Sequence, residues 1–266
     1  MRQISDIKEI HSVELKILEF FDSFCKQYEL KYSLGAGTLL GAVRHKGFIP
    51  WDDDIDLFME RGYYNKLLYL ISEKKKYSHF EFLSPYENDY AYPFIKVVDN
   101  KTRATQKGMK TTFGLWLDIF PVDSCGNSIN EGIKYQRKLY SYVKKIMRTL
   151  NTHKENDFFS MLKRIYMFFQ KNLFKKNSIY FKNKSLAVKF PQFSKYAGTL
   201  IWNLSKKDVY PAEYFADGYT ELEFEGSKYP VFKRYDDILR HRYGDYMQLP
   251  PEKDRENHCE SVILLD

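Results

Sequence analysis

Two aspartates, two positions apart, are the residues of this chain best suited to chemistry. Asp54 and Asp56 lie in the segment 52–59, which reads DDDIDLFM. In a strand, residues i and i+2 point to the same face, so the two carboxylates share one face while Ile55 and Leu57 point into a core. Neighbouring carboxylates repel each other unless a cation lies between them, and Mg²⁺ prefers oxygen ligands and leaves positions for phosphates. The segment therefore predicts a metal-dependent, phosphate-handling site.

A glycine-rich stretch precedes these aspartates. Residues 34–48 read LGAGTLLGAVRHKGF. A short helix is predicted from Thr38, and the backbone amides near Gly37 and Thr38 would face phosphate oxygens. Arg44 could hold a phosphate bidentately, and Lys46 could add positive charge. The stretch thus supports a phosphate-binding role.

A solvated turn after Pro50 is the simpler explanation of the aspartates. Aspartates are mostly exposed in folded proteins, and runs of them are common in turns. A solvated turn, however, needs neither the apolar strand at 55–59 nor the glycine-rich stretch. We therefore favour the metal site, because several features point to it together.

A third carboxylate, Asp118, lies inside a predicted apolar strand at 115–119. A buried carboxylate needs a partner, and a metal shared with Asp54 and Asp56 would provide one. Asp123 is the competing residue, but it follows Pro121 and is interpreted as a loop or cap residue.

Lys96 is an isolated cation in a second predicted apolar strand, 94–99. Lysine is usually exposed, so an edge-strand position facing water is one interpretation. A contact with substrate phosphate is the other.

The segment from Gly37 to Asp56 resembles the LicD family of phosphotransferases nearly letter for letter. Four more segments are similar to family elements and extend the resemblance over most of the chain: 92–97 (YPFIKV), 116–121 (WLDIFP), 243–247 (YGDYM) and 250–258 (PPEKDRENH). The family is related to fukutin-type enzymes and belongs to the nucleotidyltransferase superfamily.

The resemblance implies an α+β fold with a nucleotidyltransferase-like mixed β-sheet flanked by helices. It also implies a site of two Mg²⁺ ions, or Mn²⁺, held by Asp54, Asp56 and Asp118. The implied donor is a CDP-alcohol, above all CDP-choline. Phosphocholine would pass to a sugar hydroxyl of a teichoic-acid or lipopolysaccharide precursor, and CMP would be released.

The resemblance also moves Lys96 toward phosphate contact and gives the C-terminal segment a role at the substrate. Arg255 and His258 are three apart and would share a face if that segment were helical. A choline headgroup would need aromatic faces, and the candidates are Trp51, Tyr92, Trp116 and Tyr243.

Three other functions stay open. Phosphoribitol or phosphoglycerol transfer from a CDP-polyol would need a polar pocket in place of an aromatic one. An inert module that binds anionic glycan or lipid would not need the aspartates. An ordinary nucleotidyltransferase would release pyrophosphate from a nucleoside triphosphate.

Composition narrows the class of protein. The 266 residues carry a net charge of +7 and 44% hydrophobic residues, which fits a soluble globular chain with anionic partners. No nucleic-acid motif is present, so a glycan acceptor or an anionic membrane surface is the better partner. Three cysteines without close spacing argue against a zinc site and for a reducing compartment. With no apolar span or signal peptide apparent, we expect a cytoplasmic enzyme that could associate peripherally with the inner membrane face.

Three regions are predicted along the chain. Residues 1–125 form the core with the metal site, 126–205 a helical insertion, and 206–266 complete the core. The insertion contains two predicted basic amphipathic helices, 131–150 and 157–174, which either pack on each other or lie on anionic lipid.

Overall fold

The protein was analysed as a computed structural model. It describes residues 1–85, 90, 92–107, 112–150, 194–199, 205–255 and 257–265. The second predicted helix of the insertion, 157–174, lies outside these residues.

Six α-helices are present among the described residues. In chain order, α1 to α6 are Ile7–Gln27, Ala36–Arg44, Arg61–Glu73, Ile129–Leu150, Glu213–Ala216 and Tyr235–Tyr243. Asp6 caps α1 by accepting a hydrogen bond from the amide of Lys8 at 2.9 Å, as the sequence predicts for Ser5 or Asp6. Gly244 ends α6 with a positive φ of 72°, a conformation that glycine adopts without steric cost. None of these helices has both the length and the apolar character of a membrane span.

Twelve strands are described. In chain order, β1 to β12 are Arg2–Ile4, Ser33–Leu34, Ile55–Glu60, Lys76–Tyr77, Phe80–Leu83, Ile95–Gln106, Thr112–Gly126, Tyr196–Gly198, Tyr210–Pro211, Tyr219–Phe224, Ser227–Phe232 and Cys259–Leu264. All except β10 and β11, which form a separate hairpin, join one sheet with the central order β1-β12-β6-β7-β3-β2. β3 and β7 are parallel and the other pairs are antiparallel, so the sheet is mixed. The predicted α+β class is confirmed.

Helices cover this sheet and complete one large apolar core. α1 packs against β6 and β7, and α3 packs against β3 and β7. Phe21 and Phe24 of α1 meet Phe82 of β5 with ring centroids 6.4 and 5.0 Å apart. Burying each such side chain stabilises the fold by about 1.5–3 kcal/mol relative to leaving it exposed.

The sheet brings the two ends of the chain together. β12 pairs with β1 on one side and with β6 on the other, so this C-terminal strand belongs to the central sheet. The sheet also places β3, β7 and β6 side by side, and these strands carry Asp56, Asp118 and Lys96 respectively.

Candidate active site

Asp56, Asp118 and Lys96 form a row across three neighbouring strands. In the parallel ladder of β3 and β7, Asp56 is paired with Asp118. In the antiparallel ladder of β7 and β6, Asp118 is paired with Lys96. Directly paired residues point to the same face of a sheet, so the three side chains lie next to one another. Asp54 precedes the strand by one residue.

Helix α2 fixes the backbone of Asp56 from both sides. The amide of Asp56 donates to the Thr38 hydroxyl at 2.8 Å, and its carbonyl accepts from the amide of Gly35 at the same distance. A Cβ on Gly37 would lie 2.8 Å from Oδ2 of Asp52, so a larger residue there would displace the Asp52 carboxylate. The glycine-rich stretch is therefore a close-packed helix start, and the Thr38 hydroxyl has a partner within the protein.

The carboxylates of this site lack enough positive charge around them. Burial, followed by repulsion from Asp54 and Asp118, raises the pKa of Asp56 well above its usual value. Burial also raises the pKa of Asp118 to about 6, although Lys96 opposes the shift. Burial and the neighbouring Asp54 raise the pKa of Asp52 to about 7. Such a set of buried, mutually repelling oxygen ligands fits a divalent cation.

Lys96 has a partner inside the protein. Its Nζ donates to Oδ1 of Asp118 at 2.5 Å, and the side chain is fully buried. Four rings surround the ammonium group at centroid distances of 4.6 to 5.4 Å: those of Tyr92, Phe94, Phe113 and Trp116. Burial lowers the pKa of Lys96, while Asp118 raises it. Lys96 thus does not occupy the exposed edge position, and the rings of Tyr92 and Trp116 face a lysine.

His258 lies over the three consecutive aspartates that precede β3. Its Nδ1 is 3.6, 3.3 and 3.4 Å from carboxylate oxygens of Asp52, Asp53 and Asp54. A hydrogen bond with Asp53 raises the pKa of His258 to about 10, against the effect of burial. Asp52, Asp53 and His258 are also close enough together to hold a metal ion, a grouping that the sequence did not predict.

Asp53 connects this loop to the C-terminal strand. Its two oxygens accept from the amides of His258, at 2.5 Å, and Cys259, at 2.8 Å. Burial opposes ionisation of Asp53, but hydrogen bonds from the His258 side chain and from these two amides lower its pKa overall. On the other side, His11 Nε2 lies 2.7 Å from the carbonyl oxygen of Asp52. Helix α1 and β12 therefore both hold the aspartate loop in place.

The remaining predicted cations do not belong to the row of Asp56, Asp118 and Lys96. They are Arg44, Lys46 and Arg255. Arg44 Nη1 donates to the carbonyls of Tyr246 and Gln248 at 3.0 and 3.3 Å. Lys46 is exposed, and its carbonyl accepts from the amide of Glu225.

The guanidinium of Arg255 lies 4.6 Å from the ring centroid of Trp51. Among the described residues 250–255 and 257–258, only Glu252–Asp254 is helical, as one 3₁₀ turn, and β12 begins at Cys259. Arg255 and His258 both lie outside that helical turn, so the predicted shared helical face is not formed by it.

Asp123 is not a loop residue, contrary to the sequence-based interpretation. It lies within β7, where Oδ1 and Oδ2 accept from Nε and Nη2 of Arg61 at 2.6 Å each. Strand pairing with β8 continues β7 past Pro121 to Gly126, which the proline had obscured. Asp123 thus forms an ion pair with Arg61 of α3.

Glu14 is a buried acid that the sequence analysis passed over. It is fully buried in α1, and neither carboxylate oxygen has a hydrogen-bond partner among the described residues. Burial, followed by repulsion from Asp54, raises its pKa well above the usual value. The available signal was its position on the apolar stripe of α1, four residues after Ile10 and three before Ile17.

Comparison with known proteins decides the family. A family model described as the LicD/FKTN/FKRP nucleotidyltransferase domain matches residues 29–158. The lipopolysaccharide cholinephosphotransferase LicD of Haemophilus influenzae is 33% identical over 260 residues, which cover 95% of each chain. The chain belongs to the LicD family. Shorter similarities, 41% over 59 residues and 64% over 28, are found with uncharacterised proteins of Rickettsia typhi and Rickettsia prowazekii.

The range matched by the family model contains the row of three charged side chains on the sheet. Residues 29–158 include α2, β3, β6 and β7, and with them the row of Asp56, Asp118 and Lys96. His258 lies beyond this range. The row of charged side chains therefore lies within the part of the chain that matches the LicD family model.

Proposed function

We propose that this LicD family protein transfers phosphocholine from CDP-choline to a sugar hydroxyl of a lipopolysaccharide or teichoic-acid precursor and releases CMP. The observation that carries the proposal is the similarity to a lipopolysaccharide cholinephosphotransferase over 95% of both chains. The row of Asp56, Asp118 and Lys96 supports it, because its buried carboxylates suit phosphoryl transfer.

The transfer is a displacement at the phosphorus atom that carries choline. The acceptor oxygen forms a bond to this phosphorus, and the bond from phosphorus to the oxygen bridging to CMP breaks. CMP leaves with the bridging oxygen, and the acceptor hydroxyl loses its proton. The net reaction consumes CDP-choline and a hydroxyl and yields a phosphodiester and CMP.

Asp54, Asp56 and Asp118 would hold Mg²⁺, or Mn²⁺, and two ions are expected. The metal, when bound, would neutralise charge on the donor phosphates. Asp52, Asp53 and His258 form a neighbouring group of suitable ligands.

Asp118 is the proposed general base. Lys96 occupies Oδ1 of Asp118, so Oδ2 accepts the acceptor's proton where it does not ligate the metal. Lys96 would act on the reaction through Asp118, which it orients. The amides at the start of α2, next to Gly37 and Thr38, would bind phosphate oxygens.

The choline headgroup needs an aromatic face that is free. Tyr92 and Trp116 face Lys96, and Trp51 faces Arg255. Tyr243 also has a cation over one face, with the guanidinium of Arg242 5.4 Å from its ring centroid, but at 37% exposed it is the most accessible of the four predicted aromatics.

Binding of CDP-choline, CDP-ribitol, CDP-glycerol and CTP, each with and without Mg²⁺, tests the donor by calorimetry. Preference for CDP-choline in the presence of Mg²⁺, with CMP as the product of turnover, is the expected result. Preference for a CDP-polyol would keep the mechanism and change the substrate. Pyrophosphate release from CTP would replace the proposal with nucleotidyl transfer.

A further inference from the structure

The tip of the hairpin formed by β10 and β11 contacts the loop that leads from α2 to the aspartates. The amide of Glu225 donates to the carbonyl of Lys46 at 2.9 Å, and Oε1 of its side chain accepts from the amide of Phe48 at 3.0 Å. These two hydrogen bonds fix the backbone on both sides of Gly47. One residue of the hairpin therefore holds a loop that lies 177 positions away in the chain.

The backbone of Glu225 has a conformation that suits other residues better. The hairpin turns through Glu225 and Gly226, whose φ values are 49° and 76°. Two-residue turns with both φ values positive are usually formed by Asn-Gly or Asp-Gly, because most residues with a Cβ are sterically hindered in this region. Strain of this kind is often found where a side chain has a specific task. The side-chain contact of Glu225 with Phe48 is such a task.

Gly47 leaves room for the Glu225 carboxylate. A Cβ on Gly47 would collide with Oε1 of Glu225 and lie 2.8 Å from its Cδ. The φ of Gly47 is not positive, so the backbone itself does not require glycine at this position. The missing side chain at residue 47 thus permits the contact between the hairpin and the loop.

Phe48 is connected to the aspartates through His11. The Phe48 ring stacks on the His11 ring, with centroids 4.0 Å apart and the two planes inclined by 1°. Nε2 of His11 lies 2.7 Å from the carbonyl oxygen of Asp52. A displaced Phe48 would therefore disturb the support of Asp52 and, two residues further on, the position of Asp54.

The hairpin is itself attached to the sheet. The amide of Phe232 in β11 donates to the hydroxyl of Ser33 at 3.1 Å, and Ser33 belongs to β2, the neighbour of β3. Phe224, next to Glu225, is fully buried and packs on Phe48 with ring centroids 4.9 Å apart. The hairpin is thus held both at its base and at its tip, which suits a residue that must keep a site in place.

We propose that Glu225 is a positioning residue of the active site, which holds Phe48 and thereby the aspartates at 52–54. The inference deepens the proposed function and rests on it insofar as these aspartates serve phosphoryl transfer. It gives a role to the hairpin, which lies beyond the residues 29–158 that match the family model.

Glu225→Asn separates positioning from folding. Asparagine suits the left-handed turn better than glutamate, so the melting temperature should stay equal or rise. Its side chain is one methylene shorter and no longer reaches the Phe48 amide. Hydrogen exchange measured by mass spectrometry should then be about tenfold faster in peptides covering 46–54, the effect of losing one hydrogen bond to a charged group. Exchange in β6 and β7 should not change.

Three further variants test the contact itself. Glu225→Gln keeps an acceptor oxygen at the same reach and should restore most of the wild-type protection. Gly47→Ala should reproduce the faster exchange, because its methyl group displaces the carboxylate, and adding Glu225→Asn should then change little. Glu223→Gln is the matched control, since it removes the same charge from an exposed position of the same hairpin.

CMP release from CDP-choline, measured with Mg²⁺ and a lipopolysaccharide acceptor, gives the functional readout. The kcat of Glu225→Asn should fall by about tenfold or more, because small misplacements of reacting groups cost up to about 100-fold. Glu225→Gln should recover most of this loss, and Glu223→Gln should equal the wild type. A role confined to folding would instead lower the melting temperature together with the activity.

Unchanged exchange at 46–54 in Glu225→Asn would overturn the inference, and so would faster exchange there with wild-type kcat. Faster exchange over the whole chain would also overturn it, because Glu225 would then support only the fold. An equal effect of Glu223→Gln would show a general charge effect in place of a specific contact. Absence of CMP release by the wild-type protein would overturn the proposed function alone, because hydrogen exchange decides the role of Glu225 without a substrate.

Discussion

Lys96 Nζ lies 2.5 Å from Oδ1 of Asp118, and both side chains lie in the interior. Four aromatic rings surround the ammonium group, so water does not compete with the pair. Taking two charges out of water is costly, and their attraction offsets that cost only when the geometry is good. The lysine therefore fixes one oxygen of Asp118 and leaves the other for chemistry.

Lys96→Met should destabilise the protein by about 3–5 kcal/mol, because Asp118 is then left buried without a cation. Urea unfolding measures this, and Lys101→Met, on an exposed site of the same strand, is the control. The double variant Lys96→Met/Asp118→Asn should recover most of the lost stability. Equal stability of Lys96→Met and wild type would contradict the assignment.

Asp54→Asn and Asp56→Asn should abolish turnover and leave the fold intact. Burial and repulsion from neighbouring aspartates raise the pKa values of both carboxyl groups. Because a neutral asparagine removes this repulsion, the melting temperature in EDTA should not fall. Mg²⁺ should raise the melting temperature of the wild-type protein but not of either variant. Asp217→Asn, at an exposed site, serves as the control. Normal activity in either variant at limiting Mg²⁺ would remove the metal hypothesis.

Asp118→Asn should lower catalytic turnover, whereas Asp123→Asn should lower the stability of the fold. The first should lower turnover by at least about 100-fold, the low end of a general-base contribution. The second should act on stability, because Asp123 forms two hydrogen bonds with Arg61. Activity per folded molecule, measured beside urea unfolding, separates the two. A chemical defect confined to Asp123→Asn would reverse the roles.

Because of His258, the free energy of unfolding should decrease as the pH becomes alkaline. Its pKa is raised from 6.5 to about 10 by the hydrogen bond with Asp53, so the folded state binds the proton more tightly than the unfolded state. The stabilisation is then fully present below pH 6.5 and is lost as pH rises through about 10. In EDTA, the difference in unfolding free energy between wild type and His258→Gln should shrink over this interval. A difference that does not change with pH would refute the interaction.

Glu14→Met should stabilise the protein. The carboxyl group is buried without a hydrogen-bond partner in the described part of the chain, which costs about 1–3 kcal/mol that a methionine would not. Because the pKa of Glu14 is raised, the folded state retains a proton that the unfolded state loses above pH 4.5. The gain measured by urea unfolding should therefore grow as pH rises above 4.5. A destabilised variant at pH 8 would mean that Glu14 has a partner.

The local elements were predictable because their signals are local. The apolar stripe of α1 and its cap Asp6 can be read directly from neighbouring residues, as can the alternation on either side of Gly226 that suits the hairpin of β10 and β11. β3 was predicted from five residues of sequence. These features depend on neighbours along the chain, which a sequence displays directly.

The partners of the site residues were not predictable in the same way. The amide of His258 donates to Asp53 across 205 positions, and no local spacing reports such a contact. Lys96 was recognised as unusual, but its pairing with Asp118 depends on the register of β6 and β7. The metal-binding and catalytic assignments of Asp54, Asp56 and Asp118 remain predictions.

The hydrogen bonds that the amides of His258 and Cys259 donate to Asp53 affect when the site can form during synthesis of the protein. When the ribosome has made β3, the backbone amides that hold Asp53 are still about 200 residues from being translated. Contacts of such long sequence separation form late, because a large loop must close before they stabilise the chain. A nascent chain stalled before residue 257 should therefore expose its aspartate loop, and catalytic competence should arise only with the last strand.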